Sequence, residues 1–146
     1  MLKGIDPLLG PELLYTLASM GHGDRIAVVD RNFPAMSTGA RVHRLDGVDA
    51  RRAITAILTL LPLDGFVERP LACMETVGRP GEVNAVQAEV LEAARESSGR
   101  ALELEGVERF AFYERTREAY AVVATGEDRP FGCFLLTKGV LPDFTP

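Results

Sequence analysis

The 146-residue chain carries 16 Lys plus Arg against 21 Asp plus Glu, a net charge of −5, with 47% apolar and 25% charged residues. That length fits one domain able to bury roughly 68–70% of its unfolded surface without a disulfide or metal, and the acidic balance argues against nucleic acid or an anionic membrane as partner, since both need clustered positive charge. The longest apolar-rich run, Ala53 to Leu61, stops at Pro62, well short of the ~20 residues of a spanning helix.

Pro11 suits the first position of a helix, where its missing N–H costs nothing. Leu13, Leu14, Leu17 and Ala18 follow at helical spacing, so a helix is predicted over Pro11–Met20, with Gly21 as its stop and His22 just beyond. Ile26-Ala27-Val28-Val29 is apolar throughout and bounded by Arg25 and Asp30, the mark of a strand buried on both faces. Asp30 ends that strand, and a loop containing Pro34 leads to a second strand over Arg41–Leu45. Asp49 can cap a helix whose Ala53, Ile54, Ile57, Leu58 and Leu61 share one stripe.

A third strand is predicted over Leu71–Val77, the longest helix over Gly81–Ser98, and a short strand over Ala101–Leu104. Glu108–Glu114 reads as a helical turn. Ala119–Thr125 and Phe131–Leu136 close the chain as strands joined by Gly126–Pro130, a loop short enough to predict an antiparallel pair. The alternation gives an α/β fold, a three-layer α/β/α sandwich on a mixed sheet of about six strands, with residues 1–146 forming one domain. The N-terminus lacks a basic stretch followed by an apolar one, and Cys73 and Cys133 have no C-x-x-C spacing. The expectation is a cytoplasmic protein with reduced thiols.

Residues able to carry chemistry are few. His22 stands between two glycines in Gly21-His22-Gly23-Asp24, and a helix C-terminus favours the imidazolium, which suits an acid/base role. On position alone the plainer reading is a surface histidine at a helix end. His43 falls in a strand and reads as structural. Asp30 ends a buried strand, where α/β sheets place ligand contacts, or it forms a local Asx turn. Arg109 precedes the aromatic Phe110, Phe112 and Tyr113, and Phe131-Gly132-Cys133 opens the last predicted strand. Neither Gly-rich phosphate motif is present, nor is a G-x-S-x-G elbow, and two His with two dispersed Cys make no zinc site. Acid/base work by one histidine, without metal or cofactor, is the chemistry left standing.

Several blocks resemble a known family. Pro11-Glu12-Leu13-Leu14, Met20-Gly21-His22-Gly23-Asp24 and Asp30 with Asn32-Phe33-Pro34-Ala35 are similar to the RbsD/FucU family of L-fucose mutarotases and D-ribose pyranases, on the L-fucose side. So are Arg109-Phe110-Ala111-Phe112-Tyr113-Glu114-Arg115, Thr125-Gly126-Glu127 and Leu135-Leu136-x-Lys138-Gly139-Val140. The resemblance implies an isomerase that exchanges the α and β anomers of L-fucose or a related monosaccharide through the open-chain aldehyde, by acid/base catalysis with no cofactor. The alternatives it leaves are a pyranase exchanging pyranose and furanose forms, or a sugar-binding or regulatory protein with weakened catalysis.

By resemblance His22 is the proton donor, and Asp30, Arg109 and the segment Phe131, Gly132, Cys133 bind the sugar. Tyr113 and Tyr120 are added as further binding candidates. The family usually has Tyr-Gly-Asn where this chain has Phe131-Gly132-Cys133. That change removes a hydroxyl and an amide, so sugar preference is expected to shift. The resemblance also implies a ring-shaped homo-oligomer, commonly a decamer, with sites at subunit boundaries where Arg109 or the Phe131 segment would reach a neighbour's His22.

Overall fold

In the computed structural model, residues 1–142 are described. Among them the elements run α1 (Pro11–Ser19), β1 (Arg25–Val29), α2 (Ala35–Thr38), β2 (Val42–Leu45), α3 (Ala50–Leu58), β3 (Leu71–Met74), α4 (Ala85–Ser98), β4 (Glu105–Val107), α5 (Arg109–Glu118), β5 (Ala121–Thr125) and β6 (Phe134–Thr137). The strands form one mixed sheet in the order β2-β5-β1-β6-β3-β4. β6 runs antiparallel to both its neighbours, β1 and β3, while the other pairings are parallel. The last four residues of the expected 1–146 domain lie outside the described residues. No described helix is long and apolar enough to cross a membrane.

The two-residue period of a strand sends alternate side chains to opposite faces. Ile26 and Val28 of β1 join α1, α3 and α4 in one core, together with Val123, Phe134 and Leu136. Ala27 and Val29 join Ala35 of α2 and Phe112 of α5 in the other, with Val122, Ala124 and Leu135. This is the three-layer arrangement expected, and it explains why β1 is apolar at every position. Each fully buried Ile, Val, Leu or Phe contributes roughly 1.5–3 kcal/mol.

Several expectations are corrected. β5 and β6 do run antiparallel, but they do not pair, because β1 lies between them. β1 is buried on both faces and bonds a neighbour along each edge, so the Gly126–Cys133 connection must cross it. Phe131-Gly132-Cys133 precedes β6 rather than opening it, since Phe131 takes φ 58°, which no strand allows. Gly21 does not stop α1 in the left-handed conformation; the chain leaves through Met20 at φ −66°, and the positive φ falls at Gly23.

Element boundaries also move. α4 begins after Asn84, whose side chain and that of Gln87 cap each other's amides, and Gly81 stays outside at φ 82°. The helix after Glu108 extends to Glu118 because the Glu108 carboxylate accepts the Phe110 and Ala111 amides, both at 3.0 Å. The short strand before it is displaced to Glu105–Val107, in register with Ala72–Met74.

Candidate active site

Asp30 stands where β1 ends, at the carboxyl edge of the parallel pair β1–β5, where open α/β sheets gather ligand contacts. It is buried, and one carboxylate oxygen accepts the Asn32 amide at 3.0 Å in an Asx turn. Both readings of Asp30 therefore describe one residue: the turn fixes the carboxylate, and the strand end presents it. With Asn32, Phe33, Met74, Arg109, Tyr113, Pro130, Phe131 and Cys133, it lines a cavity of about 190 Å³. That is below the ~300–1,000 Å³ of drug-sized sites and suits a ligand of monosaccharide size.

Arg109 enters this cavity from the first residue of α5. Its Nε donates to the Tyr113 hydroxyl at 3.0 Å, and its guanidinium carbon lies 5.4 Å and 5.6 Å from the Phe110 and Tyr113 ring centroids. Phe33 meets Tyr113 edge-on at 5.3 Å. The aromatic patch thus holds the guanidinium in place, with Nε committed to Tyr113 and the terminal nitrogens left for a ligand.

The opposite wall is the loop between β5 and β6. The Thr125 hydroxyl donates to the Val29 carbonyl at 2.8 Å, and the Arg31 amide donates to the Glu127 carbonyl at 3.0 Å. These bonds tie the loop to the segment carrying Asp30. Glu127 is 1% exposed, and its carboxylate accepts the Ala50 amide at 3.1 Å and Arg129 Nε at 2.8 Å. Gln87, fully buried, donates its amide to the carbonyls of Met74 at 2.8 Å and Phe131 at 3.1 Å. Those bonds hold Phe131 in a left-handed conformation that costs about 1–3 kcal/mol. At Gly132 a Cβ would stand 2.8 Å from Glu127 Cγ, so a side chain there would push on the buried carboxylate. The Cys133 thiol is kept protonated, first by burial and then by the Asp30 charge. It offers Asp30 an S–H where an amide would offer both a donor and an acceptor.

His22 is not in this cavity. It precedes β1 whereas Asp30 follows it, and a strand rises ~3.3 Å per residue, so roughly 15 Å separates the two ends. His22 Nε2 lies 3.1 Å from Asp64 Oδ1, and its ring is 5.2 Å from that of Phe66. Tyr120 lies at the same end of the sheet, where its amide bonds the Arg25 carbonyl at 2.8 Å. It lines a larger groove of about 390 Å³ with Tyr15, Arg41 and His43. His43 accepts or donates a 2.7 Å bond with the Thr16 hydroxyl, and burial lowers its pKa, consistent with a structural role.

One chain thus brings Asp30, Arg109, Tyr113, Phe131 and Cys133 around a single cavity, with Gly132 shaping its wall, and leaves His22 and Tyr120 at the far end of the sheet. Sequence reasoning missed Asp64, Gln87 and Glu127. Glu127 sits in the singled-out Thr125-Gly126-Glu127 block. Gln87 carried a helix-start signal, as the third residue after Asn84.

The model of the RbsD / FucU transport protein family matches residues 3–141. An L-fucose mutarotase of Glaesserella parasuis is 48% identical over 145 residues, covering 99% of each chain. The human fucose mutarotase is 47% identical over 96% of this chain and 94% of its own. A solved structure of the Streptococcus pneumoniae fucose mutarotase in complex with L-fucose superposes with a TM-score of 0.89 at 34% identity, covering 97% of this chain and 100% of that one.

Proposed function

The chain belongs to the RbsD/FucU family, and from that premise we propose that it is a monosaccharide mutarotase, an isomerase exchanging the α and β anomers of L-fucose or a related sugar. The observation that carries this reading is the convergence of Asp30 and Arg109 on one cavity of monosaccharide size, walled by Phe33, Tyr113 and Phe131. A sugar presents hydroxyls along its rim and C–H groups on its faces. A carboxylate and a guanidinium suit the hydroxyls, and aromatic rings suit the faces. The names of the full-length relatives point the same way.

Ring opening moves two protons. The ring oxygen takes one from His22 as its bond to the anomeric carbon breaks. The anomeric hydroxyl gives one up to a base as the carbonyl forms. Rotation about C1–C2 and reversal of both transfers close the ring on the other face. Each positioned proton transfer contributes about 10²–10⁴-fold, and no cofactor takes part in these steps.

His22 and Asp30 stand at opposite ends of β1, so in this reading the site is composite: the His22 of one copy serves the Asp30–Arg109 cavity of another. A head-to-tail contact of that kind closes into a ring when its rotation divides a full turn, and a decamer is the assembly we propose, working in the cytoplasm, with residues 1–146 as one mutarotase domain.

A second reading rests on Cys133. A thiol kept protonated by burial cannot supply an amide's two polar contacts, so the site would retain sugar binding with weakened turnover. Saturation-transfer NMR across a panel of fucose, ribose and galactose tests the choice. Accelerated α/β exchange supports the mutarotase, and furanose signals that exchange faster with protein mark a pyranase instead. Sugar binding by calorimetry without any acceleration selects the second reading.

A further inference from the structure

Phe66 is 76% exposed, yet the chain that carries it is fixed. Its segment, residues 62–70, is bonded at three points to the end of β6 and the residues just after it. The Thr137 amide donates to the Pro70 carbonyl at 2.9 Å, the Asp64 amide to the Thr137 carbonyl at 3.0 Å, and the Gly139 amide to the Pro62 carbonyl at 2.8 Å. Arg100 donates to the Leu63 and Asp64 carbonyls at 3.3 Å and 3.0 Å. A single exposed phenylalanine needs no explanation; this one is set apart by its neighbour.

The Phe66 ring lies 5.2 Å from the His22 imidazole, tilted by 53°. The Phe66 amide donates to Asp64 Oδ1 at 3.0 Å, and the same oxygen lies 3.1 Å from His22 Nε2. Phenyl ring and imidazole therefore share one anchor. Whatever surface His22 is brought against, Phe66 meets as well. In a site shared between copies, that surface is the Asp30–Arg109 cavity of a neighbour.

The chemistry of the sugar then says which part of it faces the ring. A pyranose whose ring oxygen takes a proton from His22 has C1 on one side of that oxygen and C5 on the other. C1 bears the hydroxyl that must lose a proton, and Phe66 has no polar atom to offer it. Pressing that hydroxyl against an apolar ring would strip its water without a partner. A methyl on C5 gains from the same contact, because its apolar surface leaves water. The ring therefore belongs on the C5 side.

We propose that Phe66 of the copy supplying His22 is a specificity-determining residue of the shared site: its ring packs on the C5 substituent of the sugar and selects a methyl there over a hydroxymethyl. This rests on the mutarotase reading and its shared site, and the test separates the two.

L-fucose and L-galactose differ only at C6, where L-galactose carries a hydroxyl. The wild type is expected to exchange L-fucose with a kcat/KM at least about tenfold above that for L-galactose. Phe66→Ala should lose most of that preference, and Phe66→Leu, which keeps an apolar side chain, should retain it. A wild type that treats the two sugars alike, or a preference that survives Phe66→Ala, overturns the proposal. So does an equal loss on both sugars, which would mark a ring that only steadies His22. The chain contains no tryptophan, so Phe66→Trp places a single indole at this position. Its emission should shift on adding L-fucose whether or not the sugar is turned over, and an unmoved emission overturns the contact. A shifted emission in a protein that accelerates no exchange supports the contact and overturns the mutarotase reading instead.

Discussion

His22 and Asp30 flank the same five-residue strand, one before its first residue and one after its last. They cannot meet on one sugar within one chain. If each site joins the His22 of one copy to the Asp30 of another, His22→Ala and Asp30→Ala should each be inactive alone yet complement each other. An equal mixture of the two, dissociated and reassembled at random, should regain up to about a quarter of native activity, since two independent choices must both be right. Exchange rates before and after reassembly measure this. No recovery in a mixed assembly of native size would contradict a shared site.

The Asp30–Arg109 cavity depends on Gln87, which does not line it. Its amide holds the Phe131 carbonyl while that residue sits at φ 58°, and its side-chain oxygen accepts the Asn84 amide at 3.1 Å. Gln87→Ala leaves two buried carbonyls poorly satisfied and half a capping box, a loss of about 2–4 kcal/mol. Denaturant unfolding checks that magnitude. KM should rise as the Phe131 wall loosens, and an unchanged KM would mean that other contacts hold the loop.

Acid should lower the protein's stability in two stages. Burial lowers the folded-state pKa of His43 below its ordinary 6.5, so the unfolded chain takes up that proton first and a small loss begins as pH falls below that value. Carboxylates supply the second stage. Asp6 is lowered from 3.8 to about 2, chiefly by its bond to Arg52. Glu127 is raised by burial, but the Arg129 guanidinium and the Ala50 and Arg129 amides outweigh this and hold it below its ordinary 4.5. The stabilisation from these carboxylates is complete above about pH 4.5 and is lost as pH falls through their folded values. Melting temperatures between pH 7 and pH 2 follow it. Glu127→Gln should lower stability at pH 7 by about 3 kcal/mol and flatten the acid stage; an equally steep acid stage in that variant would contradict the assignment.

Much of this was legible in the sequence because local chemistry dictated it. Ile26 to Val29 could only be a strand covered on both faces, Asp49 capped its helix, and Asp30 fell at a strand end. What escaped were relationships across long stretches of chain. Asp64 lies 42 residues from His22, in a Leu63-Asp64-Gly65-Phe66 stretch that carries no motif to single it out. The insertion of β1 between β5 and β6 is set by which edges β1 must satisfy, not by loop length. Phe131 takes a conformation that glycine favours, and only the buried Gln87 and the loop's ties to Val29 and Arg31 account for it.

Saturation transfer between the anomeric protons of L-fucose reads out acid/base mutarotation by His22 with no intervening step. The wild-type protein should raise α/β exchange well above the buffer rate, and a folded His22→Ala protein should lose about 10²–10⁴-fold of that acceleration. Exchange at the buffer rate with wild-type protein would exclude mutarotation, and undiminished exchange with His22→Ala would exclude His22 as its acid/base group.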